Sequence, residues 1–199
     1  MDGIAWAASA MVAARTRLEI AAENLANVSS DGFARIAARG FLTPRGARIA
    51  REPEGVQGSL RETGRELDFA ILGGGTFRVR DARGQVAKTR AGTFTSGSDA
   101  TLRDAQGRVL LGSRGALRFP LDARLDERGR VVANGRRVDA VALPAGSRLQ
   151  SGFLEGAGVN AIGEMIDVMA AERAFESAQK IVASIDLTRQ KSAEAARVS

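Results

Sequence analysis

The chain has 199 residues, 44% of them hydrophobic and 26% charged, with no Cys, His or Tyr, so it holds enough apolar material for a buried core and is not disordered by composition. Without Cys and His there are no disulfides, no thiolate or imidazole metal sites and no Cys- or His-dependent catalysis. That leaves carboxylate or Lys chemistry, phosphate binding, or a protein whose work is binding and assembly. The net charge of +6 is uneven: residues 1–60 carry 7 basic and 6 acidic groups, 61–150 carry 17 and 10, and 151–199 carry 5 and 7.

At the start of the chain, Met1-Asp2-Gly3-Ile4-Ala5-Trp6 lacks the basic region and continuous apolar core of a secretory signal, so export by the general secretory route is not expected. Ile4, Met11, Leu18 and Leu25 recur seven apart, and Ala7, Ala14, Ala21 and Val28 follow each by three. This seam predicts a heptad helix over the first 28 residues, large at a and mostly Ala at d. The helix is expected to end at Val28-Ser29-Ser30-Asp31-Gly32, where Gly32 accepts a positive φ, with Phe33 resuming outside it. Residues 34–66 show no sustained period and hold Pro44, Pro53 and five glycines, which predicts an extended connector.

From residue 67 to 150 the period falls to two. Short runs at 67–72, 76–80, 86–90, 101–103, 108–111, 131–133 and 137–143 alternate with turn signals. These are Asp81-Ala82-Arg83-Gly84, Asp104-Ala105-Gln106-Gly107, Asp126-Glu127-Arg128-Gly129 and Asn134-Gly135, the last a type I′ hairpin pair. A small all-β domain is the reading.

Gly156-Ala157-Gly158-Val159-Asn160 leads into a second long helix, with Asn160 as its N-cap. Its apolar stripe begins with Ile162, Met165, Ile166 and Met169, then runs as Val168, Ala171, Phe175, Ala178, Val182 and Ile185 at alternating spacings of three and four, thinning beyond Leu187. No apolar run reaches the 18 residues of a membrane span. The expected class is α+β. Long N- and C-terminal helices (segments 1–33 and 151–199) form a coiled-coil-like helical domain, and the connector 34–66 leads to a central all-β domain over 67–150.

Burying the four large residues of the first seam gains about 8 kcal/mol at roughly 2 each, whereas ordering their helix costs on the order of 25–50 kcal/mol of backbone entropy, offset in part by its hydrogen bonds. The helix therefore needs partners. The residues alone leave two open: the C-terminal helix in an intramolecular hairpin, or helices of other copies.

The run Leu18-Glu19-Ile20-Ala21-Ala22-Glu23-Asn24-Leu25-Ala26-Asn27-Val28-Ser29-Ser30-Asp31-Gly32-Phe33 resembles the signature that closes the N-terminal helix of bacterial flagellar rod and hook proteins. Leu154-Glu155-Gly156-Ala157-Gly158-Val159-Asn160-Ala161-Ile162-Gly163-Glu164-Met165-Ile166, followed by Glu172-Arg173-Ala174-Phe175-Glu176, resembles the matching C-terminal signature. Between them, Leu67-Asp68-Phe69-Ala70-Ile71, Thr89-Arg90-Ala91-Gly92-Thr93-Phe94 and Asp104-Ala105-Gln106-Gly107-Arg108-Val109-Leu110 resemble the β domain of the FlgF and FlgG type. The chain departs from that pattern at Asp31, Gly74, Thr76, Lys88 and Ala91, and is shorter than is usual for the type.

The resemblance implies a structural, non-enzymatic rod subunit of the basal body that spans the periplasm, transmits torque, and is exported without a cleaved signal peptide. Its implied partners are other copies of itself, other rod and hook proteins, the flagellar export apparatus and periplasmic ring proteins. No cofactor, metal, specific nucleic acid or membrane insertion is implied. The expected assembly surface comprises Ile4, Ala7, Met11, Ala14, Leu18, Ala21, Asn24, Leu25, Asn27, Val28, Gly32 and Phe33 at one end, with Val159, Asn160, Ile162, Met165, Ile166, Met169, Arg173, Phe175, Val182 and Ile185 at the other. Asn24 and Asn27 serve either as register-setting donors or as local caps. Arg173 and Glu176 read either as a solvated pair or as a lattice contact.

Leu72-Gly73-Gly74-Gly75-Thr76 lacks the Gly-Lys-Ser/Thr of a phosphate loop and reads as a β turn. Carboxylate neighbours such as Asp126 and Glu127 fall in turns and receive no acid–base role. The arginines of 61–150 support a second reading, a basic β-domain module for nucleic acid or another anionic polymer whose helices dimerise it, although no aromatics interleave with them for base stacking.

Overall fold

The computed structural model describes residues 3–198, with side chains through residue 195; Met1, Asp2 and Ser199, counted above in the terminal segments, lie outside the described residues. In chain order the elements are α1 (Gly3–Ala26), β1 (Ile36–Thr43), β2 (Gly46–Pro53), β3 (Leu60–Glu62), β4 (Phe69–Leu72), β5 (Phe77–Arg80), β6 (Val86–Thr89), β7 (Thr95–Ser96) and β8 (Leu102–Arg103). They continue as β9 (Val109–Gly112), β10 (Gly115–Ala116), β11 (Arg124–Leu125), β12 (Arg130–Ala133), β13 (Arg136–Ala140), β14 (Arg148–Ser151), β15 (Phe153–Glu155) and α2 (Ala161–Val198). Two helices flanking a β-rich middle make an α+β chain, divided into two compact units.

The first unit holds the chain up to Ala26, Ile36–Glu54, and the chain from Asn160 on. Its helices run antiparallel: Gly3 faces Ile185, whose Cδ1 lies 3.8 Å from where a Cβ on Gly3 would sit, and Asn24 meets Glu164 at the other end. Along α1 the buried Ala7, Ala14 and Ala21 alternate with half-buried Ile4, Met11, Leu18 and Leu25. Along α2 the buried Glu164, Ala171 and Ala178 alternate with half-buried Val168, Phe175, Val182 and Ile185. Small residues at alternate seam positions let the two backbones approach closely.

Residues 36–53, expected above as extended connector, instead form a ribbon in which β1 pairs antiparallel with β2, Ile36 opposite Pro53 and Thr43 opposite Gly46. The sequence hides it for a physical reason. With no second layer to bury alternate side chains, only Ala37 of β1 is buried, so no period of two appears. The ribbon is tied to α1 by the Ser9 hydroxyl, which accepts from Ala47 N–H at 3.1 Å, and by an Arg51–Glu23 ion pair.

The second unit comprises Asn27–Arg35 and Gly55–Val159. Its largest sheet runs β6-β5-β9-β8-β7, with β10 on β9; β11-β12-β13 form a second, and the pairs β14-β4 and β15-β3 complete it. Phe69, Ile71, Phe77, Val79, Phe94, Leu102, Leu110, Leu117, Val131 and Leu149 build its core, where Phe77 meets Phe94 edge-on at 5.4 Å. The turn signals form as the sequence predicts. Asn134 and Gly135 both take positive φ, 50° and 72°, as a type I′ turn requires.

The three Asp-x-x-Gly turns share one construction. Asp81 Oδ1 accepts from Arg83 and Gln85 N–H, Asp104 Oδ1 from Gln106 and Arg108 N–H, and Asp126 Oδ1 from Arg128 and Arg130 N–H. In the last two, the Arg at the fifth position also donates its Nε to the carboxylate, at 2.7 and 2.6 Å. Burial works to raise the Asp126 carboxyl, but the N–H and guanidinium of Arg130 and the N–H of Arg128 outweigh it and hold the group below its usual value.

Candidate assembly site

The two signature stretches meet at two places, one in each unit. In the first unit, Asn24 is fully buried and its side chain behaves like a strand residue. Its Oδ1 accepts from Ile36 N–H at 2.9 Å and its Nδ2 donates to Ile36 O at 2.9 Å. The same Nδ2 reaches Glu164 Oε2 at 3.1 Å, so one amide joins α1, β1 and α2. Glu164 stands in the first turn of α2, where an acidic side chain complements the helix dipole. Asn160 caps that turn, its Oδ1 accepting from Ile162 and Gly163 N–H.

In the second unit, the turn after α1 closes on the stretch before α2. Gly32 N–H donates to Glu155 O at 2.6 Å, and Gly158 N–H donates to Phe33 O at 3.1 Å. Gly32 has φ +67°, and a Cβ there would lie 2.1 Å from Ala91 N, so only glycine fits in conformation and in space. Asn27 shapes the same turn: its carbonyl accepts from Ser30 N–H and its Oδ1 from the Ser30 hydroxyl at 3.1 Å. Asn24 thus bonds across to two other elements, and Asn27 bonds within the turn at Ser30.

Glu155 organises this junction. Its Oε1 accepts from Gly58 N–H at 3.0 Å, and its Oε2 lies 2.9 Å from Arg90 Nε. Arg90 in turn donates to the carbonyls of Ile71 and Gly73 at 3.0 and 2.8 Å. Burial raises the Glu155 carboxyl, against the opposing pull of Gly58 N–H and Arg90.

The structure separates the expected assembly residues by where they face. Ile4, Ala7, Met11, Ala14, Leu18, Ala21, Asn24, Leu25, Phe175, Val182 and Ile185 lie on the buried or half-buried faces of the helix pair inside a single chain. Asn27, Val28, Gly32, Phe33 and Val159 are half-buried in the second unit. Ile162, Met165, Ile166 and Met169, 71%, 51%, 55% and 49% exposed, form a ridge on the face of α2 turned away from its seam, and Arg173 extends it.

Several residues of this arrangement carry little sequence signal. Glu164 continues the α2 seam backward from Val168, and a charge at a seam position is the one clue to a buried polar contact. Nothing in the sequence marks Phe41 and Leu42 of the ribbon, 49% and 77% exposed. With Ala10, Ala13, Ile49 and Ala174 they line a groove of about 460 Å³ in the first unit, whose walls also carry Arg17 and Arg48. Among the described residues no cluster of acidic groups can hold a metal ion, and no helix is long and apolar enough to cross a membrane.

Comparison with known proteins falls on the same stretches. A family described as flagella basal body rod protein matches residues 4–33, and one described as flagellar basal body rod FlgEFG protein C-terminal matches residues 150–195. The chain is 28% identical to the flagellar basal-body rod protein FlgG of Agrobacterium fabrum, covering 94% of this chain and 96% of the relative. That alignment spans 256 positions, so the relative carries residues this chain lacks. Identity to the rod protein FlgF of Mesorhizobium japonicum is 27%, over 88% of this chain and 90% of the relative. Identity to the flagellar hook protein FlgE of Rhizobium meliloti is 35%, over 64% of this chain but 32% of the hook protein.

Proposed function

The chain belongs to the flagellar basal-body rod protein family, and from this we propose that it serves as a structural subunit of the rod, polymerising through its helical unit into the shaft that carries torque. The observation that carries the reading is the placement of the two family stretches. They lie 116 residues apart between positions 33 and 150, yet together they build one helix pair whose outer face is an exposed apolar ridge of Ile162, Met165, Ile166 and Met169.

An apolar ridge on a soluble helix gains by being covered, and a subunit that repeats a head-to-tail contact grows into an open polymer. In this reading the seam residues Ile4, Ala7, Met11, Ala14, Leu18, Ala21, Leu25, Phe175, Val182 and Ile185 prepare each subunit through coiled-coil-like packing, and the outward residues join subunits. Other rod and hook proteins are the proposed neighbours, and the export apparatus and periplasmic ring proteins the proposed transient and surrounding partners. No site of catalysis enters the proposal.

The test is deletion of the gene in its own bacterium, with basal bodies imaged by electron microscopy. Basal bodies that stop short of a complete rod, with motility restored by the wild-type chain, are expected. Complete basal bodies and normal swimming after deletion would overturn the reading.

A further inference from the structure

The rod reading leaves open how one subunit meets the next, and the helical unit offers two apolar surfaces left exposed among the described residues. One is the ridge, on the α2 face opposite its seam. The other is the groove, floored by Ala10 and Ala13 of α1, walled by Phe41, Leu42 and Ile49 of the ribbon, and flanked by Ala174 of α2. Ala174 lies on the side of α2 and the ridge on its back, so the two surfaces point in different directions.

Resting on that reading, we infer that the groove receives the ridge of a second copy of this chain, with Ile162, Met165, Ile166 and Met169 as its occupants. Charge favours this occupant over a generic apolar segment. Arg17 and Arg48 stand on the groove wall, and neither has an ion-pair partner among the described residues. On α2, Glu172 and Glu176 are exposed and continue the ridge at helical spacing. The ridge ends in Glu172 and Glu176 along its Met165–Met169 edge and in Arg173 along its Ile162–Ile166 edge, so it is the acidic edge that fits a groove bordered by two guanidiniums, and the small floor residues leave space for long, unbranched Met side chains.

The geometry also sets the kind of assembly. Where the contact is not reciprocated about a two-fold axis it is heterologous: each copy that lends its ridge still offers its groove, and growth continues to a ring or an open helix according to the rotation between neighbours.

The chain's lack of cysteine makes the test clean. Full-length Ala10→Cys and Met165→Cys chains, mixed one to one under mild oxidation, are expected to give a covalent dimer about tenfold above a mixture of Met165→Cys with Val86→Cys, an exposed position in the other unit. Adding Arg17→Glu and Arg48→Glu to the groove chain should lower the yield about tenfold. Adding Glu172→Arg and Glu176→Arg to the ridge chain should then restore it. Trp6 fluorescence and helical circular dichroism, unchanged in every variant, confirm that folding is intact.

A yield equal to the control overturns the pairing of ridge and groove. Sedimentation of the cysteine-free chain in the same buffer separates the two possible failures. Polymer without the cross-link means that subunits join through another surface and the rod reading stands. Neither polymer nor cross-link counts against both. A cross-link that charge reversal does not weaken overturns the assignment of Arg17 and Arg48.

Discussion

Asn24 and Glu164, 140 positions apart in sequence, are joined by a buried hydrogen bond of 3.1 Å in an otherwise apolar helix seam. Polar partners in a seam fix register, because any slip of one helix along the other leaves both without water and without each other. Here the same amide also holds the first residue of the ribbon, so one side chain sets the mutual placement of three elements.

Replacing Asn24 with Leu, close in volume but unable to donate or accept, orphans the Ile36 N–H and C=O and takes a partner from Glu164. At about 1–3 kcal/mol per buried group left unsatisfied, the expected loss is about 3 kcal/mol or more. Trp6, the one tryptophan, lies on α1 and reports this unit selectively. Its denaturant midpoint should fall, and an unchanged midpoint would contradict the register role.

Gly32 and Gly84 share a positive φ, 67° and 84°, but differ in room. A Cβ on Gly32 strikes Ala91 N at 2.1 Å, and one on Gly84 meets nothing within 4 Å. Gly84→Ala should therefore cost only the conformational penalty, about 1–2 kcal/mol. Gly32→Ala should cost distinctly more, and urea denaturation of the two variants side by side measures the difference.

Arg90 and Glu155, with side chains 11% and 3% exposed, form a buried pair whose separate removal is costly. Glu155→Gln leaves a buried guanidinium without its countercharge, and Arg90→Met leaves a buried carboxylate, each at about 3–5 kcal/mol. The double variant should be much less damaged than the sum of the two. A double-mutant cycle with additive losses would show that the pair is not coupled.

Two carboxyls give opposite pH dependences. The Thr101 hydroxyl, with Thr101 N–H and Arg103, overcomes desolvation and lowers Asp99 from 3.8 to about 2. Its folded pKa lies below the unfolded one, so its stabilisation is present above about pH 4 and disappears as pH falls toward 2. Asp99→Asn should remove that dependence, leaving wild type and variant alike near pH 2. Glu155 is raised by burial, so its contribution is most favourable at acid pH and declines as pH rises through its folded pKa. Unfolding midpoints collected from pH 2 to 7 check both.

Local patterns in the sequence revealed what local physics decides. The heptad of Ile4, Met11, Leu18 and Leu25, the cap at Asn160 and the paired positive φ of Asn134 and Gly135 all depend on residues within a turn or two of each other. The ribbon escaped because a two-stranded layer lying on a helix buries too few side chains to show a period. Asn24 was visible as a polar residue at a helix end, but its partners come from positions 36 and 164, contacts that no local pattern encodes. The groove was invisible for the same reason, since its floor, walls and flank come from three separate stretches of chain.

Helix α2 continues past Ile185, its last seam residue opposite Gly3, to Val198, a projection of about 20 Å at 1.5 Å per residue. From Asp186 through residue 195 every side chain is exposed, and a segment this short is marginal as a helix in water by itself. In the proposed assembly its amides would report polymer formation. In dilute subunits the 186–195 stretch should exchange its hydrogens for deuterium rapidly, and in the finished shaft, once neighbours lie along it, slowly, giving a mass-spectrometric clock for the moment each subunit is added.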